Sequence, residues 1–157
     1  MNIRLRPTRD GDEPFLAALY ASTRQDEMAL TGWGQAQIAE FLAMQFIAQH
    51  HYYLEHLPPS EFNVIEGDGQ PIGRLYVGDW EGDVRLIDIA LLPEHRNQGI
   101  GSRLIRDVME RAVALGKPVR LHVEQFNPAR RLYERLGFVA LGEEGVNVIM
   151  EWRGNSL

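Results

Sequence analysis

The sequence predicts an α/β (α+β) domain: a mixed, mostly antiparallel sheet of about six to seven strands flanked by about four helices. Three observations carry that expectation. Two helix-period segments come first, three short strand-like runs follow with Asp68-Gly69 and Glu81-Gly82 between them, and the remainder alternates helix with strand.

In chain order, "NIRLRP" alternates apolar and polar residues with Ile3 and Leu5 on one face, as a half-buried strand does. Asp10 or Asp12 is placed to cap the next helix, Pro14 falls in its first turn, and Phe15, Leu16, Leu19 and Tyr20 supply its apolar face. Beyond "TGWGQ", the spacing of Ile38, Phe41, Leu42, Gln45 and Phe46 predicts a second helix that ends before Pro58 and Pro59. "EFNVIEG", "PIGRLYVGDW" and "VRLIDIALL" read as an antiparallel meander. A helix over 99–115 then stops at Gly116, with Pro118 beyond. "VRLHVE" is the next strand, and "NPARRLYERLG" a short helix opened by Asn127 and Pro128 and closed by Gly137. "FVALG" and "VNVIMEW" are two last strands around Glu144-Gly145.

With 157 residues, 45% of them hydrophobic and 24% charged, the chain fits one globular domain with a real core. A formal charge of −6 argues against a general nucleic-acid binder. The lack of cysteine removes disulfides, thiolate zinc sites and thiol nucleophiles. The N-terminus begins charged, and no run reaches the roughly 18 apolar residues of a membrane helix. The chain therefore reads as cytoplasmic, with neither nucleic acid nor membrane as partner. The adjacent His50 and His51 point to different faces of a helix and have no carboxylate pair at ligand spacing, so no metal site is expected.

The segment "LLPEHRNQGIGSRLI" joins a strand to a helix and places "PEHRNQGIG" at the helix N-terminus, where unpaired amides and the helix dipole favour an anion. Gly99 and Gly101 let backbone approach such a ligand, and Arg96 and Arg103 bring positive charge. Ser102 and Arg103 after Gly101 do not fit a P-loop, and Leu104 stands where a dinucleotide fingerprint needs a small residue. A tight turn and helix start would explain the glycines equally well.

"RNQGIG" at 96–101 resembles the RxxGxG acyl-CoA pyrophosphate loop of the GNAT superfamily of N-acetyltransferases, and "NPARRLYERLGF" at 127–138 resembles that family's N-x-x-A-x-x-L-Y-x-x-x-G-F segment. With the element order, the resemblance covers residues 62–152. It implies a GNAT-like sheet with a central splay between "LIDIALL" and "RLHVE", in one domain over 1–157. Residues 1–60 would form a first strand and two acceptor-side helices, and 61–157 the acetyl-CoA-binding core. The cosubstrate implied is acetyl-CoA, with Ile89, Ala90 and Leu91 pairing with its pantetheine arm and Arg96, Asn97, Gln98, Gly99, Ile100, Gly101 and Ser102 around its pyrophosphate. Asn127 would cap its helix and meet the arm.

Acetyl transfer to an amine needs a base for the ammonium and an acid for the departing thiolate. Tyr133 is the acid the resemblance implies, since a phenol is protonated at neutral pH. Asp88 interrupts an apolar strand and His122 titrates near neutrality; both stand as base candidates, ahead of Glu124 and Asp79. On the acceptor side, Asp26 and Glu27 would attract a cation and Trp33 cover its apolar part, although a solvated helix end and a core anchor account for them as well. The function expected is an N-acetyltransferase acting by direct attack in a ternary complex, with a small-molecule amine slightly preferred over a protein amine. The alternative is a non-catalytic acyl-CoA-binding or regulatory domain. The final strands leave room for a homodimer.

Overall fold

The computed structural model describes residues 1–154. In chain order run β1 (Ile3–Pro7), α1 (Glu13–Ala29), α2 (Gln35–His56), β2 (Glu61–Gly67), β3 (Gln70–Asp79), β4 (Val84–Leu91), α3 (Ile100–Leu115), β5 (Val119–Glu124), α4 (Ala129–Arg135), β6 (Val139–Glu144) and β7 (Asn147–Trp152), with short 3-10 turns at Asp10–Asp12 and Pro93–His95. Hydrogen-bonded neighbours give the strand order β1-β2-β3-β4-β5-β7-β6. The expected class, strand count and helix count are those observed. None of the described helices is long and apolar enough to cross a membrane.

The chain divides into two compact units, each described by itself. The first joins Met1–Leu75 to Ile89–Arg96. In it β1 lies antiparallel to β2, from Ile3 opposite Gly67 to Pro7 opposite Asn63. The helix pair closes over Leu16, Tyr20, Met28, Leu42 and Phe46. Asp12 occupies the N-cap position of α1 but makes no side-chain cap bond, which corrects the capping role expected for it. Its buried carboxylate accepts instead from both Arg6 Nη atoms at 2.8 Å and from the Arg9 amide at 2.8 Å, while Arg6 Nε donates to Glu66 at 2.9 Å. That network ties the entry of α1 to the β1–β2 pair. Asp68 and Gly69, at φ of 50° and 82°, make the two-residue turn from β2 to β3.

The second unit joins Tyr76–Asp88 to the chain from Asn97 onward. Its β4–β5 ladder is parallel and pairs Val84 with Val119 and Arg85 with Arg120, the first two residues of each strand. From β5 the sheet continues antiparallel to β7, through all six residues, and then to β6, where the register shifts between Ala140 and Gly142. Val119, Leu121, Val123, Val148 and Met150 are buried on one face, with the apolar stripe of α3, Leu104, Ile105, Val108, Met109 and Ala112, buried as well. Lys117 Nζ closes the β3–β4 turn by donating to Asp79 and to the Trp80 carbonyl, both at 2.7 Å.

Candidate active site

The loop before α3 changes hand twice. Arg96 is extended, Asn97 has φ 61°, and Gly99 has φ 81° at the N-cap. An asparagine tolerates that region and glycine adopts it without strain. The amides of Ile100, Gly101 and Ser102 then open a 16-residue helix and have no acceptor within its hydrogen-bond ladder. Gly101 is the informative residue. Its φ is ordinary, nothing in the protein lies within 4 Å of where its Cβ would sit, and glycine here costs the helix about 1 kcal/mol relative to alanine. Neither backbone conformation nor packing calls for glycine at this place, so the free space suits a ligand brought close to the amides, as a pyrophosphate would be.

The side chains preceding the loop differ from expectation in two respects. Arg96 donates from Nε to the Leu91 carbonyl at 2.9 Å and from Nη2 to the Ser22 carbonyl and hydroxyl at 3.4 and 3.3 Å, so its guanidinium already holds the end of β4 against α1. Glu94 is exposed as expected. His95, expected to be exposed, is half-buried, with a buried Nδ1 that has no hydrogen-bond partner among the described residues.

Strand register sorts the acid and base candidates. Val84 and Leu86 are buried on β4, and Asp88 shares their face because side chains alternate along a strand. By the pairing of Val84 with Val119, that face is also the one of Leu121 and Val123. His122 points the other way, to the face of Arg85 and Arg120. The two base candidates therefore lie on opposite faces of the sheet. Asp88 is half-buried and His122 exposed. The His122 pKa is lowered, first by partial burial of the ring and next by the Arg85 charge, with Glu144 acting the other way.

Tyr133 is buried in α4, its ring 5.8 Å from that of Phe138. Burial raises the pKa of its phenol well above the ordinary value, and the charge of Asp88 raises it further. The short α4 is held at its start by Asn127, whose Oδ1 accepts from the Ala129 amide at 2.9 Å. Asp79, the weakest base candidate, is paired with Lys117, which lowers its pKa. Glu124 is half-buried on the His122 face.

In the first unit, Ile89, Ala90 and Leu91 close β4, with the Leu92 amide donating to Ile72 at 2.8 Å. A Cβ on Gly73 would run into the Ala90 carbonyl, so glycine at 73 permits the close approach of β3 to this strand end. Sequence reading did not single out that glycine, whose reason lies on a neighbouring strand. Glu27 is exposed and 3.5 Å from Arg24, and Trp33, 40% exposed, stands edge-on to Phe41 at 5.4 Å. Among the described residues no group of three or more His, Cys, Asp or Glu could hold a metal ion.

A model of the acetyltransferase (GNAT) family matches residues 18–138, a span that contains the loop, Asp88, His122 and Tyr133. The chain belongs to that family. Among curated GNAT relatives it is 37% identical to the thialysine N-epsilon-acetyltransferases of Bos taurus and Sus scrofa. The match covers 51% of this chain and 54% of the bovine protein, and 47% and 51% for the porcine one, so the chain spans about half the length of the curated relatives it matches. Among solved structures, the PaiA N-acetyltransferase of Thermoplasma acidophilum, crystallised with coenzyme A, superposes with a TM-score of 0.73 at 19% identity, over 98% of this chain and all of that one. This last likeness is one of fold.

Proposed function

We propose that the protein is an N-acetyltransferase that moves the acetyl group of acetyl-CoA to a primary amine by direct attack in a ternary complex. The observation that carries the reading is the loop before α3, with Asn97 and Gly99 left-handed and an otherwise unexplained glycine at 101 among first-turn amides. Acetyl-CoA supplies a thioester that the amine can attack. Gln98, Gly99, Ile100, Gly101 and Ser102 offer backbone to the pyrophosphate, with Asn97 setting the turn. Ile89, Ala90 and Leu91 offer backbone to the pantetheine arm, much as a strand would pair. Arg96 positions that strand end. Asn127 uses its oxygen as a cap, which leaves its NH2 group to meet the arm.

His122 takes the proton from the ammonium. Its lowered pKa keeps it neutral at pH 7, and it lies on the open face of β5. The amine nitrogen then bonds to the thioester carbonyl carbon, the carbon–sulfur bond breaks, and Tyr133 gives its proton to the leaving sulfur. Asp88 serves this step by keeping the phenol protonated until sulfur demands the proton. With no cysteine in the chain, an acyl-cysteine intermediate has no carrier. Glu27 and Trp33 are assigned to the acceptor side, and the enzyme is placed in the cytosol as a single acetyltransferase domain.

Replacing Tyr133 by phenylalanine tests the reading. The expected result is a fall in kcat of about a hundredfold or more, the ordinary contribution of a general acid, with CoA affinity by calorimetry preserved. Retained CoA binding without turnover in the wild type, across a broad panel of amines, would favour the binding-only alternative.

A further inference from the structure

The open face of β5, β7 and β6 carries a second set of groups, which concern the acceptor and rest on the function proposed above. Paired residues on adjacent antiparallel strands share a face, so the register arranges this one in rows. Arg120, Glu151 and Val139 form the first, His122, Ile149 and Gly142 the second, and Glu124, Asn147 and Glu144 the third. The positive charge at the first row is neutralised locally. Arg120 and Arg153 both bind buried Glu151, and Arg85 binds Asp83 at 2.9 Å. The third row has a carboxylate on either side of Asn147, with Glu143 next in the chain.

Just past that row stand two apolar side chains that folding has not covered: Phe126 is 91% exposed and Val146 is 74% exposed. Both sit on fixed backbone. The Asn127 amide donates to the Glu124 carbonyl at 3.0 Å, which closes a turn with Gln125 and Phe126 at its centre, and the Gln125 amide donates to the Val146 carbonyl at 3.1 Å, which ties this turn to the β6–β7 tip. The central places of such turns usually go to small or polar residues. A phenyl ring held in water at one of them is not explained by the fold.

We infer that Glu124, Glu144, Phe126 and Val146 select the acceptor, and that it is an amine with a second positive charge carried along an apolar chain, an α,ω-diamine or polyamine. Strand geometry puts the third row about 7 Å from His122. With one amino group at His122, a chain of that span brings a second ammonium between Glu124 and Glu144, where Phe126 adds an aromatic face to the cation and Val146 an apolar one to the methylenes. The acetyl group goes to the amine at His122; the second ammonium is bound and unchanged.

The experiment compares a five-carbon diamine with pentylamine, which has the same chain and one charge, by CoA release from the wild type, Glu144→Gln and Phe126→Ala, with CoA affinity measured by calorimetry on each. The expected wild-type result is a diamine KM at least about fivefold lower, at similar kcat, shrinking as salt is raised. Each substitution is expected to raise the diamine KM by about threefold or more relative to the pentylamine KM, at unchanged CoA affinity. Equal use of the two amines, a preference untouched by both substitutions, or acetylation confined to a lysine-containing peptide would each overturn the inference. A wild type that binds no CoA would instead overturn the function on which it rests.

Discussion

Tyr133 and His122 sit four rows of chemistry apart in character: one phenol buried and pushed toward its protonated form, one imidazole exposed and pushed toward its neutral form. Each shift favours the protonation state that the proposed role requires at neutral pH. Because the His122 pKa lies below its ordinary value of 6.5, the base form prevails above that value, and kcat/KM should be level near neutrality and fall as the pH drops below it. His122→Gln should lower kcat and abolish that acid limb in a pH–rate profile. An unchanged limb in the variant would return the base to Asp88. Asp12 makes a separate case, one of stability. Arg6 holds its carboxyl down to about 2 from an ordinary 3.8, so its contribution is complete above 3.8 and disappears as the pH falls through 2. Asp12→Asn replaces charge-assisted bonds by neutral ones and is expected to cost about 2 kcal/mol in urea unfolding at pH 7, with the gap to wild type closing in acid.

At the scale of elements, α3 shows how sequence and structure divide the work. Its period, its stop at Gly116 and its glycine-rich start were all legible in the chain, since each depends on local spacing. The reason for Gly101 was not, because a glycine serving a turn and a glycine serving a ligand look alike until the space around the missing Cβ is known. That space allows a test in which stability and function move in opposite directions. Gly101→Ala should stabilise the protein by about 0.5–1 kcal/mol through helix propensity while weakening CoA binding, read by thermal melts and calorimetry on the same sample. A helix that gains stability with unaltered CoA affinity would leave the glycine without a ligand-based reason. Asp88 and His122 show the same boundary from another side. Both were visible as polar breaks in apolar strands, but only the register of β4 on β5 puts them on opposite faces.

For the whole molecule, the strand order β1-β2-β3-β4-β5-β7-β6 places a parallel pair, β4 and β5, inside an otherwise hairpin-built sheet, and that pair holds together through two residues before its register ends. Local signals gave the elements and the two segments of the family pattern, whereas the inversion of β6 and β7 and the short β4–β5 ladder depend on contacts between distant residues. A ligand that binds the folded chain alone stabilises it by mass action, about 2.7 kcal/mol at a hundred times its Kd, and for a chain of this size each kcal/mol is worth about 2–4 °C. Saturating CoA should therefore raise the Tm by about 5–10 °C. Gly99→Glu, which sets a negative side chain at a left-handed N-cap beside the same amides, should melt cooperatively and show almost no shift. ATP carries phosphates but lacks the pantetheine arm that Ile89, Ala90 and Leu91 are proposed to pair with, so it should give a much smaller rise. Equal shifts from ATP and CoA would mean that the loop recognises phosphate alone, and the chain would then be a nucleotide-binding module on an acetyltransferase fold.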